Sequence, residues 1–427
     1  MPATLDCSRP ETPAAAPAAA PGWAIADGLR PRLAASGLRP LTLAGRWLLP
    51  IVQCGMGVGV SAYRLAGAVA AQGGVGTLSS VHLRRHHPDL MQGTQGLAAR
   101  TGQDADTKRQ IDAANLEAVG REVGAAKAAA GGCGLVAMNI MRAVSDYAAY
   151  VRASLQAGVD MVVVGAGLPL DLPDLAADHP KALLVPILSD ARGVALIVKK
   201  WERKKRLPDA IVIEHPRLAG GHLGAARIAD LNDARFEFDR VIPESLAFLR
   251  QAGLEGQVPL IAAGGLRSCE DIARIQALGG AAAQLGTAFA VTAECDASAA
   301  LKQVLAEARD EDLVEFTSVV GLPARAVATP WLKAYLKAEP RLQAVAHARG
   351  RCTKAFDCLA QCGLRDGTAG WGQLCIDNQL AAALRGDLEK GLYFRGVGAL
   401  PFGAQIRSVR ELLDRLLTRG VALPTPA

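Results

Sequence analysis

Residues 259–289 read PLIAAGGLRSCEDIARIQALGGAAAQLGTAF. The apolar run Leu260–Ala263 stops at the glycine pair Gly264-Gly265. An amphipathic segment, Cys269–Ala277, follows, and a second apolar run, Ala282–Leu285, stops at Gly286-Thr287. Neither apolar run alternates with polar residues, so both faces of each strand must be covered. Helices cover both faces only when the strands are parallel. The stretch is therefore one strand–helix–strand unit of a parallel sheet.

The same unit repeats toward the N-terminus. Further strands are expected at Leu49–Cys54, Val75–Ser79, Leu135–Ile140, Met161–Val164, Leu183–Leu188 and Ala210–Ile213. Between the strands lie the amphipathic segments Ala62–Gln72, Asp112–Ala130, Ser145–Ala157, Arg192–Arg203 and Pro243–Ala252. Eight strands alternating with helices favour a closed (β/α)8 barrel over an open sheet. The open-sheet alternative rests on CGMGVGVSAYRLAGAVA, residues 54–70, where Gly55 and Gly57 have Gly-x-Gly spacing. The third glycine of a dinucleotide fingerprint is replaced by Val60, and the next strand ends in Leu-Ser-Ser without an acid for a ribose. That reading fails. These glycines instead allow the first loop to approach a flat ligand closely.

The flanks differ from this pattern. Residues 1–22 are rich in proline and alanine, lack a signal-like apolar core, and are expected to be a disordered lead-in. The barrel with its helical additions is assigned to residues 23–350. Its additions include one expected strand within EFTSVVGLPARAVATP (315–330) and a long polar loop over 81–108. Residues 351–427, with four cysteines and a closing helix over Val409–Leu417, are expected to form a helical cap on the barrel.

Bulk properties narrow the function classes. Hydrophobic residues make up 50%, which supports a packed core, and a net charge of +6 is too small to argue for nucleic acid. The basic run KKWERKKR, residues 199–206, reads as a solvated helix end. No apolar run is long enough for a membrane span. Nine cysteines without a secretory signal point to reduced thiols and a cytoplasmic location.

Chemistry in such a barrel lies at the C-terminal ends of the strands. Gly264, Gly265, Gly286 and Thr287 end strands seven and eight, where backbone N–H groups and a helix start can hold a phosphate. Other strand ends suit a planar cofactor: Gln53, Gly55 and Met56 after strand one, Asn139 in strand three, Gly165 after strand four and Ser189 after strand five. After strand six comes IEHPRLAGGHLG, residues 213–224. A zinc site of Glu214, His215 and His222 lacks helical i, i+4 spacing and a fourth ligand. His215 precedes Pro216 and is biased to extended backbone, lining the pocket or bonding the loop. His222 sits among glycines on a turn.

The ordered runs PIVQCGMG, MNIM, VVVGAGLP, AGGHLG, PLIAAGGL, LGTAF and GLPARA, over roughly residues 45–330, resemble the nitronate monooxygenases, or 2-nitropropane dioxygenases. They are also similar to the related FMN-dependent enoyl-ACP reductases. The resemblance implies a TIM barrel holding non-covalent FMN. It puts the phosphate on Gly264, Gly265, Gly286 and Thr287, and the ring near Gln53, Gly55, Met56, Asn139 and Gly165. Ser189 and Gly221 complete the cofactor candidates. The family's catalytic histidine in the AGGH motif falls on His222, as base or as hydrogen-bond partner of a nitro group. The implied activity is oxidation of alkyl nitronates, with nitroalkanes as a secondary substrate, by O2 to a carbonyl compound and nitrite. His215 and Ser318 are further pocket candidates.

Two alternatives remain open. One is an NAD(P)H-dependent FMN reductase of enoyl thioesters or quinones, with HLRRHH (82–87) offering basic groups for a nucleotide phosphate. The other is a non-catalytic flavin- or metal-binding partner protein. Cys352, Cys358, Cys362 and Cys375, spaced C-x5-C-x3-C-x12-C, are candidates for zinc or an iron–sulfur cluster. Buried free thiols are the favoured reading, so no metal is assigned. Small-molecule substrate and O2 are the expected partners, with self-association left open.

Overall fold

A computed structural model describes residues 22–94, 96–97, 104–347, 352, 354 and 357–423. The expected N-terminal lead-in therefore lies outside the described residues, apart from Gly22. Eight parallel strands close into a barrel: β1 (Ile51–Gln53), β2 (Val75–Ser79), β3 (Leu135–Met141), β4 (Met161–Gly165), β5 (Leu183–Leu188), β6 (Ile211–Glu214), β7 (Leu260–Ala263) and β8 (Ala282–Leu285). The closing pair is β8 with β1, setting Ala283 opposite Ile51 and Leu285 opposite Gln53. The expected (β/α)8 barrel is the observed fold.

Alternation along each strand divides the side chains into two sets. Val52, Val75, Ala137, Val163, Val185, Val212, Ile261 and Ala282 share the interior cluster. Their neighbours Val136, Val162, Leu184, Ile211 and Leu260 pack outward against the helices. A three-stranded sheet of Gly22–Trp23, Leu41–Leu43 and Arg46–Leu48 adds Ala24, Leu41, Leu43 and Leu48 to the interior cluster, at the N-terminal end of the strands. Helix entries follow from local chemistry. Asp190 accepts the Gly193 N–H to start Ala191–Glu202, and Ser268 with Asp271 forms a capping box before Cys269–Ala277.

Two expectations about the additions change. The single strand expected within 315–330 is a hairpin of Leu313–Thr317 and Pro323–Val327, turned at Ser318–Gly321. Gly221–His222 pairs with its second strand, placing His222 opposite Ala324. The segment 81–108 is not one loop, because Leu83–His86 and Pro88–Gly93 are helical and a long helix begins at Ala105.

The C-terminal segment shares a core with the barrel's outer layer. Helix Val409–Leu416 buries Leu412, Leu413 and Leu416 in one cluster with Leu65, Val69, Phe289 and Leu301. Each fully buried leucine contributes about 1.5–3 kcal/mol. Residues 393–400, ahead of this helix in the chain, line the cavity at the barrel mouth.

Candidate active site

A cavity of about 320 Å³ opens at the C-terminal ends of the strands. Its floor follows from strand parity. The inward positions next along the chain after Val52, Ala137, Val163, Val185, Val212 and Ala282 are Cys54, Asn139, Gly165, Ile187, Glu214 and Gln284, and all six line the cavity. Gly55 lies against this floor so closely that an added Cβ would stand 2.3 Å from the Asn139 Cβ.

Parity sets two candidates off this floor. Gln53 points between strands rather than into the cavity. Only Val52 and Val75 are in register between β1 and β2, and the Gln53 amide fills the gap. Its Nε2 donates to the Thr77 carbonyl at 3.0 Å, and its Oε1 accepts the Thr77 N–H at 2.7 Å. The side chain thus serves as a substitute peptide group in the ladder. His215 faces outward, 1% exposed, with Nε2 3.3 Å from Glu237 and its ring edge-on to Phe238. Burial lowers its pKa, against a raising contribution from Glu237.

Ser189 and Ser318 also lie off the cavity. Ser189 Oγ packs against Gly224, where an added Cβ would be 1.7 Å away, and Ser318 is buried in the hairpin turn. The remaining candidates, Gly55, Met56, Asn139, Gly165, Gly221, His222, Gly264, Gly265, Gly286 and Thr287, all line the cavity.

One end gathers glycines and two arginines. Gly264 and Gly265 have φ of +107° and +70°, the left-handed region that favours glycine. Gly286 opens toward the cavity, with its nearest non-neighbour atoms 3.8 Å from an added Cβ. Arg267 lines this end, and no carboxylate pairs with its side chain among the described residues. Arg395, buried beside it, donates to the carbonyls of Leu305, Gly396 and Gly398. Burial lowers the Arg395 pKa, Asp310 at 3.9 Å raises it, and Arg267 lowers it.

The C-terminal strap was not legible as part of the site. Gly396 donates its N–H to Thr287 Oγ1 at 3.1 Å, and Val397 donates to the Leu218 carbonyl at 3.3 Å. Phe394 lies 5.7 Å from the His222 ring. The glycines of RGVG (395–398) are the only local sign, since they permit the close approach to Gly220.

Two titratable groups face the cavity in altered states. Burial lowers the His222 pKa to about 4, so its imidazole is neutral, and its Nε2 has no hydrogen-bond partner. Burial raises the Glu214 pKa to about 7. No described residue hydrogen-bonds its carboxyl group, which is thus open to a proton or a ligand. Cys54 is pushed up to about 12 by burial and by Glu214, which makes it a poor nucleophile. Arg325 positions the histidine loop: it donates to the carbonyls of Pro216 and Ala219 and pairs with Glu315.

On the opposite wall, His82 Nε2 stands 3.1 Å from Asp377, which also pairs with Arg85 and Lys354. Arg84 is buried with Thr94, His82 and Asn115 around it. His86 reaches the Gly59 carbonyl, and His87 pairs with Glu122. The basic residues of 82–87 thus each have at least one partner within the protein.

A parallel barrel whose cavity has a glycine-rich end beside two arginines suits a phosphate-bearing planar cofactor. The chain belongs to the nitronate monooxygenase family, whose model matches residues 46–419, and it is an FMN-dependent oxidoreductase. Among solved structures it is similar to FabK from Thermotoga maritima (18% identity, TM-score 0.57, covering 86% of this chain and 91% of that one). It is also similar to nitroalkane oxidase from Streptomyces ansochromogenes (20% identity, TM-score 0.58, covering 90% and 96%). No curated protein matches it in sequence. No helix among the described residues is long and apolar enough to cross a membrane.

The site fits FMN on its own terms. Gly264, Gly265, Gly286 and Thr287, with Arg267 nearby, suit the phosphate, and the open face of Gly286 leaves the space that a side chain would fill. Gly55, Met56, Asn139, Gly165 and Gly221 suit the ring, with the orphaned His222 nitrogen beside them.

Proposed function

We propose that the protein oxidises alkyl nitronates, and nitroalkanes after loss of the α-proton, with O2 to give a carbonyl compound and nitrite. Bound FMN would supply the electron transfer. The observation that carries this reading is His222: a neutral imidazole on the cavity wall with an unpartnered nitrogen. A neutral imidazole can accept an α-proton or, as the other tautomer, donate a hydrogen bond to a nitro oxygen. The Gly221–His222 pairing and the Arg325 clamp fix the ring's position, so little ordering is left to substrate binding. Glu214 offers a second group, a carboxyl, for proton exchange within the same cavity. Engagement of Arg84, Arg85, His86 and His87 within the protein weighs against a nicotinamide nucleotide as the reductant.

Anaerobic rapid mixing of the yellow holoprotein tests the reading. Bleaching by a nitronate and not by NADPH is expected. Bleaching by NADPH alone would replace the proposal with a reductase, and bleaching by neither would leave a binding role.

A further inference from the structure

Cys352, Cys358, Cys362 and Cys375 of the cap are free thiols, and among the described residues no three His, Cys, Asp or Glu side chains are grouped to hold a metal ion. The cap contributes apolar surface to the cavity instead. Ile376, Leu380 and Ala383 line it at i, i+4 and i+7 of the helix Ile376–Leu384. That spacing puts all three on one helix face. Ile376 and Leu380 are only half-buried, so apolar surface is left to be covered.

Contacts at both ends fix where this face lies. At the helix start, Asp377 meets His82 at 3.1 Å and Arg85 at 2.8 Å, both in the segment after β2. At its end, Leu384 packs on Gly59 in the loop after β1, 3.2 Å from where a Cβ would stand. Ahead of the helix, Ala360 donates its N–H to the Ala143 carbonyl at 2.9 Å, and Leu359 pairs with Val144 beyond β3. The cap thus spans the loops after β1, β2 and β3, whereas Gly264, Gly265 and Gly286 follow β7 and β8. From the barrel side, Val58, Val81 and Val144 line the same cavity, joined by Val320 of the hairpin turn.

The charges match this apolar wall. Outside the glycine-rich end, no lysine or arginine is among the described residues that line the cavity. Asp377 does line it, with its carboxylate engaged by His82, Arg85 and Lys354. A substrate tail ending in a carboxylate would meet Asp377 and lose hydration without gaining a cation. A hydrocarbon tail has no such cost and covers the Ile376 and Leu380 side chains.

We propose that the cap selects nitronates carrying an extended alkyl substituent, and that Ile376 and Leu380 read its length. The inference rests on the nitronate-oxidation reading given above. Each methylene buried against this wall should raise affinity about threefold to fourfold.

The test uses the holoprotein and preformed nitronates from nitroethane to nitrohexane. The expected kcat/KM rises about threefold with each added methylene. A nitronate ending in a carboxylate should fall about tenfold or more below the methyl-ended one of equal length. Leu380→Ala should cut the preference for the hexyl over the ethyl nitronate about fivefold or more. Leu388→Ala, on the cap surface at 43% exposure, should keep it. Calorimetric titration with n-alkanols from ethanol to hexanol reads the same wall without turnover, and affinity should climb by the same factor. Nitronate turnover with no dependence on chain length, or a preference for the carboxylate tail, overturns this inference and spares the oxidase reading. A climbing alkanol series without nitronate turnover overturns the oxidase reading and leaves the wall's preference standing. Both series are read on the wild-type chain, so a variant that fails to fold leaves the test intact.

Discussion

Glu214 and His215 are consecutive residues on opposite faces of the barrel wall: Glu214 lines the cavity, and His215 packs outside against Glu237 and Phe238. One peptide unit therefore separates a group open to a ligand from one that only holds the wall together.

The Glu214 carboxyl gives a pH signature. Its pKa in the folded protein, about 7, lies above the ordinary 4.5, so the folded state binds this proton more tightly than the unfolded state. The stability it contributes is complete below the unfolded value and is lost as pH rises through 7. Glu214→Gln should match the wild type near pH 4 and exceed it above pH 7. The expected gain is on the order of 1 kcal/mol, allowing for partial exposure to the cavity. Urea titrations of the cofactor-free protein across this range check it; a difference that does not vary with pH would contradict the assignment.

His222→Asn should separate proton removal from binding. Turnover of neutral nitroalkanes should fall by about 100-fold or more, and turnover of preformed nitronates by much less. Because burial holds the wild-type imidazole near pKa 4, its base form persists down to about that pH. Steady-state rates on both substrate forms decide the matter, and equal, undiminished activity would refute the base role.

Gly286→Ala tests the phosphate cradle without disturbing the fold. The added methyl group meets no protein atom closer than 3.8 Å outside its chain neighbours, yet it enters the anion space. FMN affinity should drop at least about tenfold, or 1.4 kcal/mol, while the melting temperature of the cofactor-free protein stays unchanged. Fluorescence titration with FMN measures the first, and calorimetry the second.

Gln53→Leu should do the reverse. It strands the Thr77 N–H and carbonyl in the gap between β1 and β2, at a cost of about 1–3 kcal/mol for each buried group. Denaturant midpoints should shift strongly. Little shift would mean that the ladder closes without the amide.

The barrel was legible because its strands are nearly continuous apolar runs, and the observed bounds of β2, β5, β7 and β8 are those expected from residue type. The glycine-rich end was legible for a similar reason, since glycine there marks a backbone requirement that no other residue meets. Gln53 and His215 lie off the cavity, since polarity near a strand end says nothing about which way a side chain turns; counting by twos from Val52 and Val212 puts neither on the floor. The same count would have found Glu214, Cys54 and Gln284 on the floor. The strap at 393–400 was beyond such counting. Its contacts with Thr287 and Leu218 span more than a hundred residues and follow no period.

That strap has a consequence for biogenesis. The last wall of the cofactor cavity is synthesised after every barrel strand, so a ribosome-bound chain lacks a finished pocket until residues 393–400 emerge. A chain interrupted before residue 393 would keep every barrel strand and lack this wall.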